Sequence, residues 1–426
     1  MKQRKKVEWS RLDNASKIFP ATCNNKDTKV FRLLCELNEP VEAEILQQAL
    51  NTTIENFPLY KSVLRRGVFW YYFETSDINP VAEIETSTVC APIYIKDRKN
   101  LLFRVFYFNN RINLEIFHAL ADGTGALRFM QTLVYKYLIL RYKDRFPDKI
   151  PKLNYDASMS KKMDDSFERY FVGKDNHKPI IKENKKGILF SAYHIRGTRL
   201  DEDRVKVIEG SMDVKAVLEE AHKYNTTLTI YITSLFIYSI YKEMPAYRKN
   251  RPIVLSVPIN LRHFFESETA RNFFSTMNVE YNFEKSGPDF KDVIKCVSEE
   301  FQKELTAERL NIHLNRLMLL ERNPFARVIP LPFKDYSLRI ANKIEDRKIT
   351  AAISNLGRIS MPFEFDDYIR QFSILTSARR PQISMCSYGE RLVVSFNSPF
   401  QETEIQRTFF GFLSKKGIEI EITSNI

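Results

Sequence analysis

One histidine in this chain stands where acid–base chemistry is feasible. His118 follows the strand-like segment Arg111 to Phe117, Asp122 comes four residues later, and Gly123 is next. Neutral imidazole can take a proton from an alcohol or an amine near pH 7. The aspartate could orient the ring or fix the loop by binding a cation, and the glycine lets the backbone bend and leaves room for a substrate. The alternative is a purely structural histidine at a strand end.

The elements that position this histidine are predicted from hydrophobic periodicity and turn signals. Residues 101–109 and 111–117 flank two adjacent asparagines, so we predict a hairpin whose second arm ends at His118. A helix is predicted from Ala126 to about Tyr142, with apolar residues at helical spacing. The N-terminus of that helix adds a mild positive dipole beside the histidine.

Other strands and helices are expected in both halves. The predicted strands are 30–37, 68–73, 205–212, 253–258, 277–283, 349–354 and 392–396. The predicted helices are 45–57, 214–224, 228–243, 290–320 (in one piece or two) and 407–413. A mixture of strands and helices in each half is typical of two α/β or α+β layers.

Length and composition predict the domain organisation. A chain of 426 residues is too long for one ordinary core and predicts two domains or large subdomains. Residues from 147 to about 200 are polar, rich in lysine and weakly periodic, which is typical of a connection. We expect an N-terminal subdomain at 1–150, a connecting segment at 151–200 and a C-terminal subdomain at 201–426.

The charge and the motif content restrict the function. The net charge is +12, which suits nucleic acid, an anionic membrane surface or acidic partners, but also a plain lysine-rich surface. No zinc-finger, basic-zipper or RNA-binding pattern accompanies the charge, so we expect no nucleic acid partner. No H-E-x-x-H motif, Cys/His cluster or glycine-rich nucleotide loop occurs, so we expect neither a metal site nor such a nucleotide site.

The cysteines and the apolar stretches bear on the cellular location. Five scattered cysteines without a C-x-x-C pair are typical of a reducing cytosol, so we expect a cytoplasmic protein. The N-terminus lacks the apolar run of a signal peptide. The longest apolar stretch, 228–241, is too short to span a bilayer, and we expect no transmembrane segment. The Arg11 to Asn14 run could line a substrate entrance or simply dock on the core.

The motif H-x-x-x-D-G after a strand resembles the chloramphenicol-acetyltransferase-like superfamily of acyltransferases. Within it the chain is most similar to standalone alcohol acetyltransferases, mycobacterial polyketide-associated acyltransferases and peptide-synthetase condensation domains. Four further stretches resemble family segments: I-L-Q-Q-A-L to Phe57-Pro58, Asn225–Ile230, Val257–Arg262 and Ile353–Gly357. Many members carry a second histidine where this chain has Phe117, and the plant-type D-F-G-W-G motif is absent.

This resemblance implies a fold and a reaction. The expected fold class is α/β, a mixed α+β two-layer arrangement. It comprises two chloramphenicol-acetyltransferase-like subdomains, each a mixed sheet flanked by helices, set in a V around a central tunnel. The reaction would move an acyl group, acetyl or another short acyl in the leading version, from an acyl-CoA thioester to an alcohol or amine acceptor, with an alcohol favoured. His118 would be the general base, and no cofactor would be bound.

The resemblance also implies roles for individual residues. Asp122 would be structural and paired with an arginine, for which Arg262 is the first candidate and Arg271 the second. Ser354 and Asn355 could donate hydrogen bonds to the oxyanion or to the acceptor, or they could only form a turn.

Three other functions remain open from the sequence. The donor could be an acyl carrier protein, as for condensation domains. The chain could be a non-catalytic binding protein that keeps the tunnel, although the intact motif at 118–123 argues against this. It could also be a basic adaptor on membranes or nucleic acid, which has only the net charge in its favour. We expect a monomer that acts on a small-molecule acceptor.

Overall fold

Strands and helices alternate through both halves of the chain. The computed structural model describes residues 8–86, 88–146, 151–153, 155, 158–171, 173 and 191–425. The strands are β1 Trp9–Arg11, β2 Val30–Leu37, β3 Ser62–Arg66, β4 Tyr71–Thr75, β5 Ala82–Ile84, β6 Phe103–Phe108, β7 Arg111–Phe117, β8 Lys206–Asp213, β9 Ile253–Asn260, β10 Phe274–Tyr281, β11 Ala351–Ile359, β12 Ile369–Thr376, β13 Gln382–Tyr388, β14 Arg391–Ser398 and β15 Ile420–Ser424. The α-helices are α1 Ile18–Thr22, α2 Ala43–Glu55, α3 Gly123–Arg141, α4 Met159–Met163, α5 Ser166–Arg169, α6 Val214–His222, α7 Leu228–Lys242, α8 Phe283–Ser286, α9 Phe290–Glu304, α10 Ala307–Arg322, α11 Pro324–Val328, α12 Leu331–Asp346 and α13 Glu404–Ser414.

Two mixed sheets organise these elements. The first has the strand order β12, β2, β7, β6, β5, and the second has the order β10, β9, β11, β13, β14, β8, β15. A small antiparallel sheet of β1, β4 and β3 stands apart from them. Helices α2 and α3 pack on the core of the first sheet, and α7, α9 and α13 pack on the core of the second. The mixed α/β fold class predicted from the sequence is confirmed.

One strand of the first sheet comes from the second half of the chain. Strand β12 pairs antiparallel with β2, so that Ile374 lies opposite Leu33. Its neighbours in sequence, β11 and β13, both lie in the second sheet. The segment 369–376 therefore pairs with a sheet whose other strands all lie within the expected N-terminal subdomain. The boundaries near residues 150 and 200 stay a prediction.

Several predicted elements differ from the observed ones by a few residues at their ends, and two of these differences bear on the site and the surface described below. The aromatic-rich strand expected at 68–73 begins only at Tyr71, because residues 67–70 form the turn of the β3–β4 hairpin, where the Gly67 N–H donates to the Trp70 carbonyl at 2.9 Å. The strand expected from Met277 begins earlier, at Phe274. None of the helices in the described ranges combines the length and hydrophobicity needed to cross a membrane.

A buried ion-pair network crosses the first sheet three residues before His118. The Glu115 carboxylate, on β7, has no solvent exposure. Its Oε1 accepts from Arg32 Nη2 at 2.8 Å, and its Oε2 accepts from Arg104 Nη2 at 2.7 Å. The backbone N–H of Cys90 donates to Oε1 at 2.7 Å. The network joins β2, β6 and β7 beneath the end of the strand that carries His118.

Replacing Glu115 with glutamine should lower the free energy of unfolding by about 3 kcal/mol, because it leaves the buried guanidinium of Arg32 and the partly exposed guanidinium of Arg104 without their shared charge. Urea denaturation of both proteins measures this difference. Glu421→Gln is the control, since Glu421 pairs with Arg370 on the exposed surface and such pairs contribute little. Equal midpoints for Glu115→Gln and the wild type would contradict a stabilising role for the network.

Candidate active site

The end of β7 delivers His118 to the boundary between the two sheets. The His118 N–H donates to the Lys29 carbonyl at 2.8 Å and so extends the β2–β7 ladder by one residue. Phe117 before it is fully buried and stacks on Tyr94. Because successive strand residues point to opposite faces of a sheet, His118 lies on the face opposite to Phe117.

Three aromatic rings surround the His118 imidazole. Phe19 of α1 stacks on it with ring centroids 4.3 Å apart and an interplanar angle of 18°. Phe31 and Phe274 lie at 5.1 Å and 5.4 Å. Burial among these rings lowers the pKa of His118 below its ordinary value, and the nearby Asp122 charge opposes this only in part. The imidazole is therefore neutral near pH 7.

Asn272 fixes which imidazole nitrogen carries the proton. Its Nδ2 donates to the main-chain carbonyl of His118 at 3.0 Å, and a carbonyl can only accept. The amide oxygen Oδ1 therefore faces His118 Nδ1, at 3.2 Å. An amide oxygen is an acceptor, so Nδ1 holds the proton and the Nε2 lone pair is left free. A free Nε2 is the form that a general base requires.

A short chain of hydrogen bonds holds Asn272 in this orientation. Asn272 Nδ2 also donates to Ser16 Oγ at 2.9 Å, and that hydroxyl donates to Asp13 Oδ1 at 2.6 Å. Arg271 Nε lies 3.7 Å from Asp13 Oδ2. Arg271, the second candidate for pairing with Asp122, thus lies beside Asp13 instead. The Arg11 to Asn14 run docks here on the loop that carries Asn272.

Asp122 is buried and accepts three hydrogen bonds. Its Oδ1 accepts from the Gly125 N–H at 2.8 Å, which caps α3. Its Oδ2 accepts from Arg262 Nη1 at 2.8 Å and from the Phe273 N–H at 2.7 Å. Burial by itself would raise the pKa of Asp122, but the Arg262 charge and these bonds hold the pKa below its ordinary value. Asp122 is therefore an ionised anchor, and both of its oxygens already accept hydrogen bonds.

Arg262 ties the same carboxylate to the loop at 269–273. Its Nη2 donates to the carbonyls of Thr269 at 3.0 Å and Arg271 at 2.7 Å. Within the described residues, Asp122 makes no hydrogen bond to the His118 ring. Arg262 and the Phe273 N–H connect Asp122 to the loop that presents Asn272.

The segment with Ser354 and Asn355 lies beside the histidine motif. A Cβ added to Gly123 would come within 3.2 Å of Leu356 Cδ1, so these two segments are in contact. Asn355 Oδ1 accepts from the Gly357 N–H at 2.8 Å, and its Nδ2 donates to Thr229 Oγ1 at 2.8 Å. In the described part of the chain neither Ser354 nor Asn355 hydrogen-bonds to His118. Their roles toward an oxyanion stay predictions.

Asn272, Ser16 and Phe19 were not found from the sequence. Asn272 lies two residues before β10, and the predicted start of that strand, three residues too late, left it in an unassigned loop. A polar residue in a loop has no periodicity, so only the spatial contact with His118 shows what it does.

Gly125 is a position where an added methyl group should strongly destabilise the fold. A Cβ there would lie 2.1 Å from the Ala270 carbonyl oxygen, in the loop that carries Asn272. Gly125→Ala should therefore lower the free energy of unfolding by about 2 kcal/mol or more. Gly411→Ala, in helix α13 with nothing within 4 Å of the added methyl, should instead raise it by about 0.5–1 kcal/mol. If the denaturation midpoints of Gly125→Ala and Gly411→Ala moved in the same direction, this would contradict the close approach of Gly125 to the Ala270 carbonyl.

A cavity of about 450 Å³ lies next to α1. Its walls come from α1, the β3–β4 hairpin, α12 and the segment 92–96, and include Pro20, Cys23, Arg66, Tyr71, Tyr94 and Asp335. Burial raises the pKa of the Cys23 thiol to about 11, so the thiol is protonated and is no nucleophile at neutral pH. A larger cavity, about 730 Å³, lies along α13 and β15. His118 lines neither cavity, so the tunnel through it stays a prediction.

Comparison with known proteins relates this architecture to solved structures. No family model and no curated protein matches the chain in sequence. Polyketide synthase associated protein 5 from Mycobacterium tuberculosis is 13% identical, with a TM-score of 0.62 over 95% of this chain and 96% of that one. TRI3 trichothecene 15-O-acetyltransferase from Fusarium sporotrichioides is 10% identical, with a TM-score of 0.63 over 96% and 94%. The first condensation domain of the CDA synthetase is 14% identical, with a TM-score of 0.59 over 97% and 96%.

These likenesses extend over nearly the whole length of both chains in each pair. At this level of identity they concern the fold. The chain therefore shares the two-subdomain fold of these polyketide-associated, acetyltransferase and condensation-domain structures.

Proposed function

We propose that this protein is an acyltransferase that moves an acyl group from a thioester to the hydroxyl or amine of a small acceptor. The observation that carries the proposal is the free Nε2 of His118, which follows from the contact between Nδ1 and Asn272 Oδ1. The lowered pKa of His118 supports it, because a neutral imidazole can accept a proton at pH 7. The shared fold with acetyltransferases agrees with this reaction class.

The reaction would proceed through one tetrahedral intermediate. His118 Nε2 takes the proton of the acceptor hydroxyl as its oxygen attacks the thioester carbonyl carbon. The intermediate collapses, the carbon–sulfur bond breaks, and the imidazolium returns the proton to the leaving thiolate. The products are the ester and the free thiol, and no electrons change hands. Ser354 and Asn355 are the proposed donors to the oxyanion.

An acyl-CoA donor and an alcohol acceptor form the leading version of this proposal. One structural neighbour is named a 15-O-acetyltransferase, and TRI101 of the same organism was solved with Coenzyme A and T-2. The starter condensation domain of rhizomide synthetase, in a variant, was solved with C8-CoA. These neighbours favour testing both short and medium acyl chains. No cofactor is needed beyond the thioester co-substrate.

A thiol-release assay tests the proposal directly. Purified protein is incubated with acetyl-, butyryl- or octanoyl-CoA and a panel of alcohols and amines, and free thiol is followed over time. We expect acceptor-dependent thiol release with at least one donor, and mass spectrometry should detect the acylated acceptor. The same acyl groups on pantetheine and on an acyl carrier protein reveal a carrier-dependent enzyme. Absence of transfer from all three donor classes would exclude acyl transfer to these acceptors.

A further inference from the structure

The outer face of helix α12 is apolar. Phe333, Tyr336, Ile340 and Ile344 recur at intervals of three and four residues, which places them on one side of the helix. Each of these side chains is between 44% and 66% exposed. On the opposite side Asp335 is only 6% exposed. The helix thus turns its hydrophobic stripe toward solvent, the reverse of the usual arrangement in a soluble protein.

Neighbouring segments extend this stripe into a continuous surface. We define the α11–α12 face as the exposed apolar residues of the β3–β4 turn, α11 with the residue after it, and α12: Val68, Phe69, Trp70, Phe325, Val328, Ile329, Phe333, Tyr336, Ile340 and Ile344. Phe325 is 83% exposed and Trp70 is 50% exposed. A surface of this size and aromatic content indicates an interaction site.

Hydrogen bonds fix these segments to one another. The Leu331 N–H donates to the Val68 carbonyl at 2.8 Å. Lys334 Nζ donates to the Phe69 carbonyl at 2.9 Å and to the Arg327 carbonyl at 3.2 Å. The β3–β4 turn and the two helices therefore present a preformed surface.

The charge around this face is mainly basic. Between positions 322 and 344 the basic residues are Arg322, Arg327, Lys334, Arg339 and Lys343, and the one acidic residue is Asp335; Glu321, Glu345 and Asp346 lie just outside this span. The acidic one, Asp335, is buried on the inner side of α12. Aromatic and aliphatic side chains flanked by lysine and arginine are the combination that binds an anionic lipid surface.

We propose that the α11–α12 face docks peripherally on an anionic lipid bilayer. Trp70, Phe325 and Phe333 would enter the boundary between headgroups and acyl chains, where amphipathic aromatic rings are favoured. Arg327 and Lys343 would contact the lipid phosphates. A second copy of this chain fits the face less well, because two identical basic surfaces repel each other.

Helix α12 lies between the α11–α12 face and the cavity next to α1. Pro332, Asp335 and Arg339, on the inner side of α12, line the 450 Å³ cavity next to α1. Phe19 of α1 stacks on His118. A docked α11–α12 face would therefore hold this cavity close to the membrane surface. The docking proposal itself does not depend on acyl transfer.

Vesicle co-sedimentation of the full chain tests the proposal. The probes are vesicles of phosphatidylcholine alone and of phosphatidylcholine mixed with phosphatidylserine, at low and at high salt. We expect binding to the mixed vesicles at low salt, weaker binding at high salt, and a blue shift of tryptophan fluorescence on binding. The double variant Phe333→Ser with Tyr336→Ser should lose at least tenfold in affinity, and so should Arg327→Glu with Lys343→Glu. Tyr247→Ser is the control, since Tyr247 is equally exposed but outside the face, and it should bind like the wild type.

Three outcomes would overturn the proposal. The first is wild-type affinity of both double variants for the mixed vesicles, and the second is no binding by the wild type at low salt. The third is a wild-type dimer in light scattering that the Phe333→Ser, Tyr336→Ser variant converts to a monomer, which would assign the face to a second copy of the chain. Circular dichroism of the variants confirms that they are folded, as expected for exposed positions.

Discussion

His118→Ala should lower kcat/KM for thiol release by about 10²- to 10⁴-fold, the range expected when a general base is lost. The free Nε2 is the proposed acceptor of the substrate proton, and alanine offers no replacement. His118 combines aromatic stacking, an oriented tautomer and partial access to solvent. The rates are compared at saturating donor with the best acceptor from the panel.

Two further variants separate lost chemistry from lost structure. His118→Asn keeps an N–H group for Asn272 Oδ1 but has no basic nitrogen, so it should be as inactive as the alanine variant. His222→Ala, at the exposed end of α6, should be fully active. Wild-type turnover in either His118 variant would reject the general base role. His118→Ala could have a lower unfolding midpoint than the wild type while His118→Asn is folded and inactive. That combination would still agree with the general base role.

Local elements of the site were predictable because their signals are local. The turn signal at Asn109-Asn110 and the helical spacing after Gly123 predicted β7 and α3, which the structure places at Arg111–Phe117 and Gly123–Arg141. The family resemblance made Arg262 the first candidate partner of Asp122, and the two groups lie 2.8 Å apart. What these residues do in a reaction stays a prediction.

The parts that could not be predicted depend on contacts between distant segments. Strand β12 pairs with β2 more than 300 residues away, and neither sequence contains a signal for the other. Helix α12 was not predicted because Pro330 and Pro332 stand at its start. Its apolar residues also face solvent, whereas prediction from hydrophobic periodicity assumes that the apolar stripe of a helix is buried. Asn272 was missed because its role depends on how its side-chain amide is oriented toward the His118 imidazole.

The pH dependence of the reaction offers a sharper test of Asn272 than the loss of rate. In the wild type, burial lowers the pKa of His118 below its ordinary value of 6.5. Since the neutral form is the base, kcat/KM should be flat at neutral pH and should fall only as the pH drops through that lowered pKa. The acid limb of the profile should thus lie below pH 6.5.

Asn272→Asp should move this acid limb to higher pH by about one pH unit or more, because a carboxylate facing the Nδ1–H stabilises the imidazolium. Asn272→Leu removes the acceptor and the charge, so it should lower kcat by about 10- to 100-fold without an upward move of the limb. Asn282→Asp, at the start of α8, introduces the same change of charge away from His118 and should leave the profile in place. A residue that merely braces the 269–273 loop would lower the rate in both Asn272 variants equally and would not displace the limb. That result would reject the assignment of the proton to Nδ1, and with it the argument that Nε2 is the free base.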